Sequence, residues 1–111
     1  MVVHLHDDSL NRVLRALADT TRRDILRRTM NGSVSVSGLA DEYAMSFAAV
    51  QKHITVLERA GLVDKVPSGR ARLVAANPRQ IARARAALAQ IEDLWRRRME
   101  ALDQFLTEPE E

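Results

Sequence analysis

The stretch SVSVSGLADEYAMSFAAVQKHITVLERAGLV, Ser33 to Val63, decides how this chain folds. After the alternating SVSV, a short helix is expected from about Ser37 to Tyr43, with Leu39, Ala40 and Tyr43 on its inner side and Gly38 weakening it. Met45-Ser46 forms a joint. The Ser46 hydroxyl suits the N-cap of the next helix, in which Val50, Ile54 and Leu57 form an apolar stripe until Gly61 ends it in a left-handed conformation. Two short helices around a tight joint make a helix-turn-helix candidate. With the stripe turned inward, Phe47, Ala48, Gln51, Lys52 and Thr55 share the outer face near the helix N-terminus, beside Ser46 and His53.

Upstream, Ser9 is expected to cap a first helix in which Leu10, Val13, Leu14 and Leu17 recur at helical spacing, ending near Ala18. Asp19 can cap a second helix that buries Ile25, Leu26 and Met30, presents Arg22, Arg23, Arg27 and Arg28 as a solvated basic face, and stops at Asn31-Gly32. Downstream, LVDKV and ARLVAA flank PSGR, whose Pro67 and Gly69 supply turn geometry, so this segment reads as a hairpin carrying Arg70 and Arg72 at its loop. Asn77-Pro78-Arg79-Gln80 then reads as N-cap, first-turn proline and reciprocal glutamine of a last helix. With no breaker before Pro109, that helix spans about 28 residues, or roughly 42 Å. Ile81, Ala84, Leu88, Ile91, Trp95, Leu102 and Phe105 follow alternating steps of three and four, with Arg98 interrupting, a heptad-like seam that calls for a second helix against it.

The expected architecture is therefore mainly α with a small β-hairpin wing: a winged helix-turn-helix, homodimeric through its first and last helices. Residues 1–8 are expected to be a flexible N-terminus, 9–106 the domain with its dimerisation helix at about 78–106, and 107–111 an acidic tail. The dimer contacts fall to Leu10, Val13, Leu14, Leu88, Ile91, Trp95, Leu102 and Phe105.

Composition agrees with packed helices. Apolar residues make up 46% of the 111 and aromatics only 4%, so the core must be built from aliphatic side chains. The absence of cysteine removes disulfides and thiolate metal sites and fits a reducing cytoplasm. No segment approaches the ~18 uninterrupted apolar residues of a membrane span, so no membrane partner is expected. The formal charge of +2 is uneven: residues 1–99 hold all 17 basic side chains against 10 acidic ones, a basic body that suits a polyanion.

Gln51 is equipped to pair with adenine, Lys52 with guanine or phosphate, and Ala48 or Phe47 with a thymine methyl, while Arg70 and Arg72 suit phosphates or a narrow minor groove. His53 is suited to a phosphate or to the neighbouring helix. His4, His6, Asp7 and Asp8 supply groups that suit zinc or nickel, but a terminus does not fix a coordination geometry, and neither a metal nor any other cofactor is expected. No nucleophile–base set, phosphate loop or zinc-protease motif occurs, so the chain is not expected to be an enzyme.

The blocks LADTTRR (17–23), SVSGLA (35–40) and SFAAVQKHITVLERAGLV (46–63), in this order, resemble the ArsR-type winged-helix repressors, and the likeness spans about residues 10–106. The resemblance implies a homodimeric DNA-binding repressor with Ser46, Ala48, Gln51, Lys52 and His53 on or beside the DNA-reading surface and a wing at about 62–76. The sequence departs from the family's metal sensors: SVSVSGLA stands where those carry a Cys-x-Cys pair, and the last helix offers Glu92, Asp93, Glu100 and Asp103 but no histidine. Thr20 replaces the family's usual proline and Gln51 its usual serine. The expectation is a cytoplasmic regulator, a repressor that binds a pseudo-palindromic double-stranded operator, with no motif naming a small-molecule effector. The alternatives are a metal-responsive repressor using the N-terminal ligands and a helical interaction module that does not bind DNA.

Overall fold

A computed structural model describes residues 7–107. Eight elements follow in order: α1 (Asp7–Leu17), α2 (Thr20–Met30), β1 (Val34–Ser35), α3 (Val36–Glu42), α4 (Phe47–Arg59), β2 (Val63–Ser68), β3 (Ala71–Ala76) and α5 (Pro78–Thr107). The architecture is the winged helix-turn-helix expected from the sequence. The three strands form an antiparallel sheet in the order β1-β3-β2, with Val34 opposite Val74 and Lys65 opposite Val74 on the other side. SVSV thus contributes a short strand that ties the entrance of α3 to the wing. Pro67 is tolerated because β2 lies at the sheet edge.

One core holds the body together. Val13 and Ala16 of α1, Ile25 and Leu26 of α2, Leu39 of α3, and Val50, Ile54 and Leu57 of α4 close on Leu62, Val63 and Val74 at the base of the wing. Val13 is completely buried there, which corrects its assignment to the dimer surface: the α1 stripe is wider than a seam, and its centre faces the protomer's own core. Leu10 is half-buried and Leu14 exposed on the flank of that stripe.

Two boundaries differ from expectation. The first helix starts at Asp7, so Ser9 lies within its first turn and Asp7 and Asp8 belong to the helix rather than to a flexible N-terminus; two carboxylates in the first turn favour the positive end of the helix. Residues 1–6 lie outside the described residues. The third helix starts at Val36, capped by Ser35, whose Oγ accepts the Gly38 amide at 3.0 Å. A Cβ at position 38 would stand 2.7 Å from that Oγ, so the glycine that weakens the helix makes room for its cap.

The arginines of α2 are not a uniformly solvated face. Arg22 donates to the carbonyls of Ala16 and Arg15 at 2.7 and 2.9 Å, and Arg23 donates to that of Leu17 at 2.7 Å. Together they satisfy the last turn of α1, whose carbonyls have no partner within the helix. Arg28 bonds Asp24 at 2.9 Å, approaches Glu42 and lies over the Tyr43 ring.

Candidate nucleic-acid interface

The turn between α3 and α4 sets the start of the exposed helix. Ser46 caps α4 as expected, its Oγ accepting the Ala49 amide at 3.1 Å. At the other end Gly61 takes φ +77°, with its amide donating to Glu58 O at 2.9 Å and the Leu62 amide donating to Leu57 O at 3.0 Å. This paired closure turns the chain directly into β2 and buries Leu62 as its apolar lock.

With Val50, Ile54 and Leu57 buried, the opposite side of α4 is the row Ala48, Lys52, Thr55 and Arg59, at helical steps of four, three and four. Ala48 and Lys52 are exposed. Gln51 and Thr55 are half-buried on the flank, and the Thr55 hydroxyl donates back to Gln51 O at 3.0 Å. Phe47 is 55% exposed at the N-terminal end, next to exposed Ser46. Arg59 was not among the sequence candidates, although the same periodicity that selects Lys52 and Thr55 reaches it one turn later.

His53 lies apart from this row. Its Nδ1 is 3.3 Å from Arg22 Nη1 and 3.9 Å from Asp19 Oδ1, so the ring is turned toward the entrance of α2. Because a guanidinium only donates, Nδ1 accepts and the ring proton sits on Nε2. The histidine joins α4 to the N-terminus of α2 through Arg22, and Arg22 in turn holds the end of α1.

The wing turns over at Gly69-Arg70, with Ser68 opposite Ala71. Gly69 takes φ +60° while Arg70 does not, the pattern of a two-residue hairpin loop with glycine in its first central position. Arg70 occupies the tip. Arg72 pairs across the ladder with Pro67, on the same sheet face as Lys65, which sits 3.8 Å from Glu58 of α4. On that face Lys65, Pro67 and Arg72 line a small hollow in the wing, and the Lys65–Glu58 pair joins it to α4. Lys65, which makes this joint, was missed because only the pairing register shows which strand residues share a face.

Beside the turn, the Tyr43 hydroxyl donates to Asp24 Oδ2 at 2.5 Å. Burial and this bond push the Tyr43 phenol up to about 12. The Tyr43 hydroxyl and then Arg28 hold the Asp24 carboxyl below its ordinary range. This network fixes the end of α3 on α2 and with it the start of α4.

The last helix begins as its sequence indicates, with Asn77 Oδ1 accepting the amides of Arg79 and Gln80 at 3.1 and 3.3 Å. The glutamine does not reach back to Asn77, whose amide instead donates to Leu62 O at 2.8 Å. Gln80 Nε2 donates to Ala60 O at 3.0 Å, lying across Gly61. The C-terminus of α4 and the N-terminus of α5 are therefore fastened to each other. Beyond Leu88, α5 leaves the body: Leu88, Ile91, Trp95, Leu102 and Phe105 are all exposed, as are Leu94, Met99 and Leu106, which the seam did not include. Among the described residues no three His, Asp or Glu side chains converge as metal ligands, and no helix is long and apolar enough to cross a membrane. His4 and His6 lie outside the described residues.

A helix-turn-helix domain family model matches residues 17–66. HTH-type transcriptional regulator Rv2034 of Mycobacterium tuberculosis is 35% identical over 98 residues, which cover 88% of this chain and 89% of that protein. Among solved structures, an ArsR-like transcriptional regulator from Rhodococcus sp. RHA1 superposes with a TM-score of 0.81 at 31% identity, over 92% of this chain and 96% of the other. The ArsR family transcriptional regulator RHA00566 gives 0.76 at 34% identity, over 84% and 96%.

Proposed function

Because the chain belongs to the ArsR-type winged helix-turn-helix family of DNA-binding transcriptional regulators, we propose that it represses transcription as a homodimer on a pseudo-palindromic operator. The observation that carries the reading is the outward row of α4, where small Ala48 leaves room beside Gln51 and Lys52 at the positive end of an exposed helix. A helix so placed enters a major groove with its N-terminal residues at base edges. Ser46, Phe47, Ala48, Gln51, Lys52 and Thr55 form the reading surface, Arg59 and the wing arginines Arg70 and Arg72 meet phosphates, and His53 offers its Nε2–H at the edge while its other nitrogen stays on α2.

The exposed apolar row of α5, with Leu10 and Leu14 of α1, supports pairing of two chains. Two recognition helices related by a twofold axis then address half-sites about 10 bp apart, one helical turn of DNA. Footprinting of the full chain on DNA upstream of its own and neighbouring genes is expected to protect an inverted repeat with that spacing. Absence of any protected repeat at moderate salt would sink the operator reading, and transcription rising when the chain is added would show activation in place of repression.

A further inference from the structure

Two adjoining grooves run along the flank of α5. One, of about 570 Å³, lies between Leu26, Met30, Leu62, Ile81 and Leu88, and the other, of about 540 Å³, continues past Ala76 and Pro78. Met30, Ile81 and Arg85 border both. Volumes of this size suit a small organic molecule, and the walls are apolar apart from Arg85 and Glu92 in the first groove. Glu92 is taken by Arg96. Among the described residues no carboxylate lies within ion-pairing distance of Arg85. Met30 ends α2 half exposed, an unbranched and adaptable side chain at the wall between the two spaces.

The groove shares Ile81, Ala84 and Leu88 with the start of the apolar seam. Its Arg85, Ala89 and Glu92 side lies roughly 100° around the α5 axis from Ile91, Trp95 and Leu102, so that side opens beside the rest of the row that would meet a second chain.

We propose that this groove binds an apolar organic carboxylate, with its hydrocarbon part between α2 and α5 and its carboxylate on the Arg85 guanidinium. Arginine receives a carboxylate through two parallel N–H bonds, which a neutral ligand cannot match and a cationic one would repel. A molecule wedged between Met30 and Leu88 alters the angle at which α5 leaves the body, and hence the spacing of the two recognition helices. That last consequence rests on the dimeric operator reading; the binding itself does not.

Calorimetric titration of the full chain with decanoate, decanol and decylamine, each below its micelle-forming concentration, tests the site. One decanoate per protomer is expected, with decanol about tenfold weaker and decylamine weaker still, the difference a charge-assisted hydrogen bond makes. Arg85→Glu should bring decanoate down to the decanol level or below while leaving decanol unchanged. Ala89→Trp, at an exposed wall position, should abolish binding of both. Equal affinity for the three probes, or no response to Arg85→Glu, overturns the site. Binding confined to dilute, dissociated protein overturns it too, because the groove would then be covered by a second copy. A chain that binds decanoate but protects no DNA leaves the groove standing and removes the operator reading.

Discussion

Single side chains divide here between those that stand free on the surface and those that hold the fold. Lys52 and Arg59 project from α4 with no acidic partner among the described residues, so each is free to displace a counterion from DNA. Lys52→Ala and Arg59→Ala should each lower the slope of log affinity against log salt by about 0.9, measured by fluorescence anisotropy on the operator. A slope unchanged by Lys52→Ala would remove it from the interface. Tyr43, by contrast, holds. It is the only tyrosine in the sequence, so phenolate absorbance reports it alone and should rise with a midpoint near 12. Its folded pKa is raised, so its contribution to stability is complete below about 10 and is lost as pH climbs through about 12. Asp24 works in the opposite direction: its folded pKa is lowered, so its contribution is present above about 3.9 and fades as pH falls through the folded value. Denaturant midpoints measured across pH should therefore fall at both ends, and Tyr43→Phe should flatten both limbs. A Tyr43 midpoint near 10 would mean that the hydroxyl is neither buried nor bonded to Asp24 in solution.

At the scale of elements, the junction of α4, β2 and α5 carries the most information. Gly61 holds a left-handed conformation that ends α4, and Gln80 lies over it with carbons only 3.2–3.3 Å from where a Cβ would sit. Gly61→Ala thus combines a left-handed alanine with a displaced Gln80, a cost of about 1–3 kcal/mol, readable as a lower urea midpoint at unchanged slope. Operator affinity should fall as well, since the same bond fastens α5 to the end of α4. If stability drops while operator affinity stays constant, the junction supports the fold without setting the helix position. The caps at Asp19, Ser46 and Asn77 are legible in the sequence because each is a local matter of one side chain and amides two or three residues away. Gln80 shows the limit of that reading: a reciprocal cap and a bond to Ala60 use the same amide, and only the approach of α4 decides between them.

The whole molecule is too extended for one protomer. Its radius of gyration is 19.3 Å, where a compact chain of this length has about 13 Å, and the excess comes from α5, 30 residues and about 45 Å long. Fully burying a large apolar side chain yields about 1.5–3 kcal/mol, so the exposed row from Leu88 to Phe105 represents a large unused driving force until a second chain covers it. Ile91→Glu, which would bury an unpaired charge in that row, should convert the dimer to monomer in sedimentation velocity and weaken operator binding. An unchanged sedimentation coefficient would place the dimer elsewhere.

The sequence by itself determined the helices, the hairpin and their order, the helix-turn-helix and the stripe of α5, because periodicity, caps and turn residues act over a few neighbouring positions, whereas the pairing of β1 with β3 is a tertiary contact. It also determined which face of α4 stands outward, down to Ala48 and Lys52. Tertiary structure alone decided that Val13 belongs to the protomer's core, that His53 turns to Arg22, that Arg22 and Arg23 close α1, and that Arg85 borders an apolar groove with no carboxylate partner among the described residues. Each depends on which element arrives from a distance in the chain to meet a side chain whose local pattern fits more than one partner.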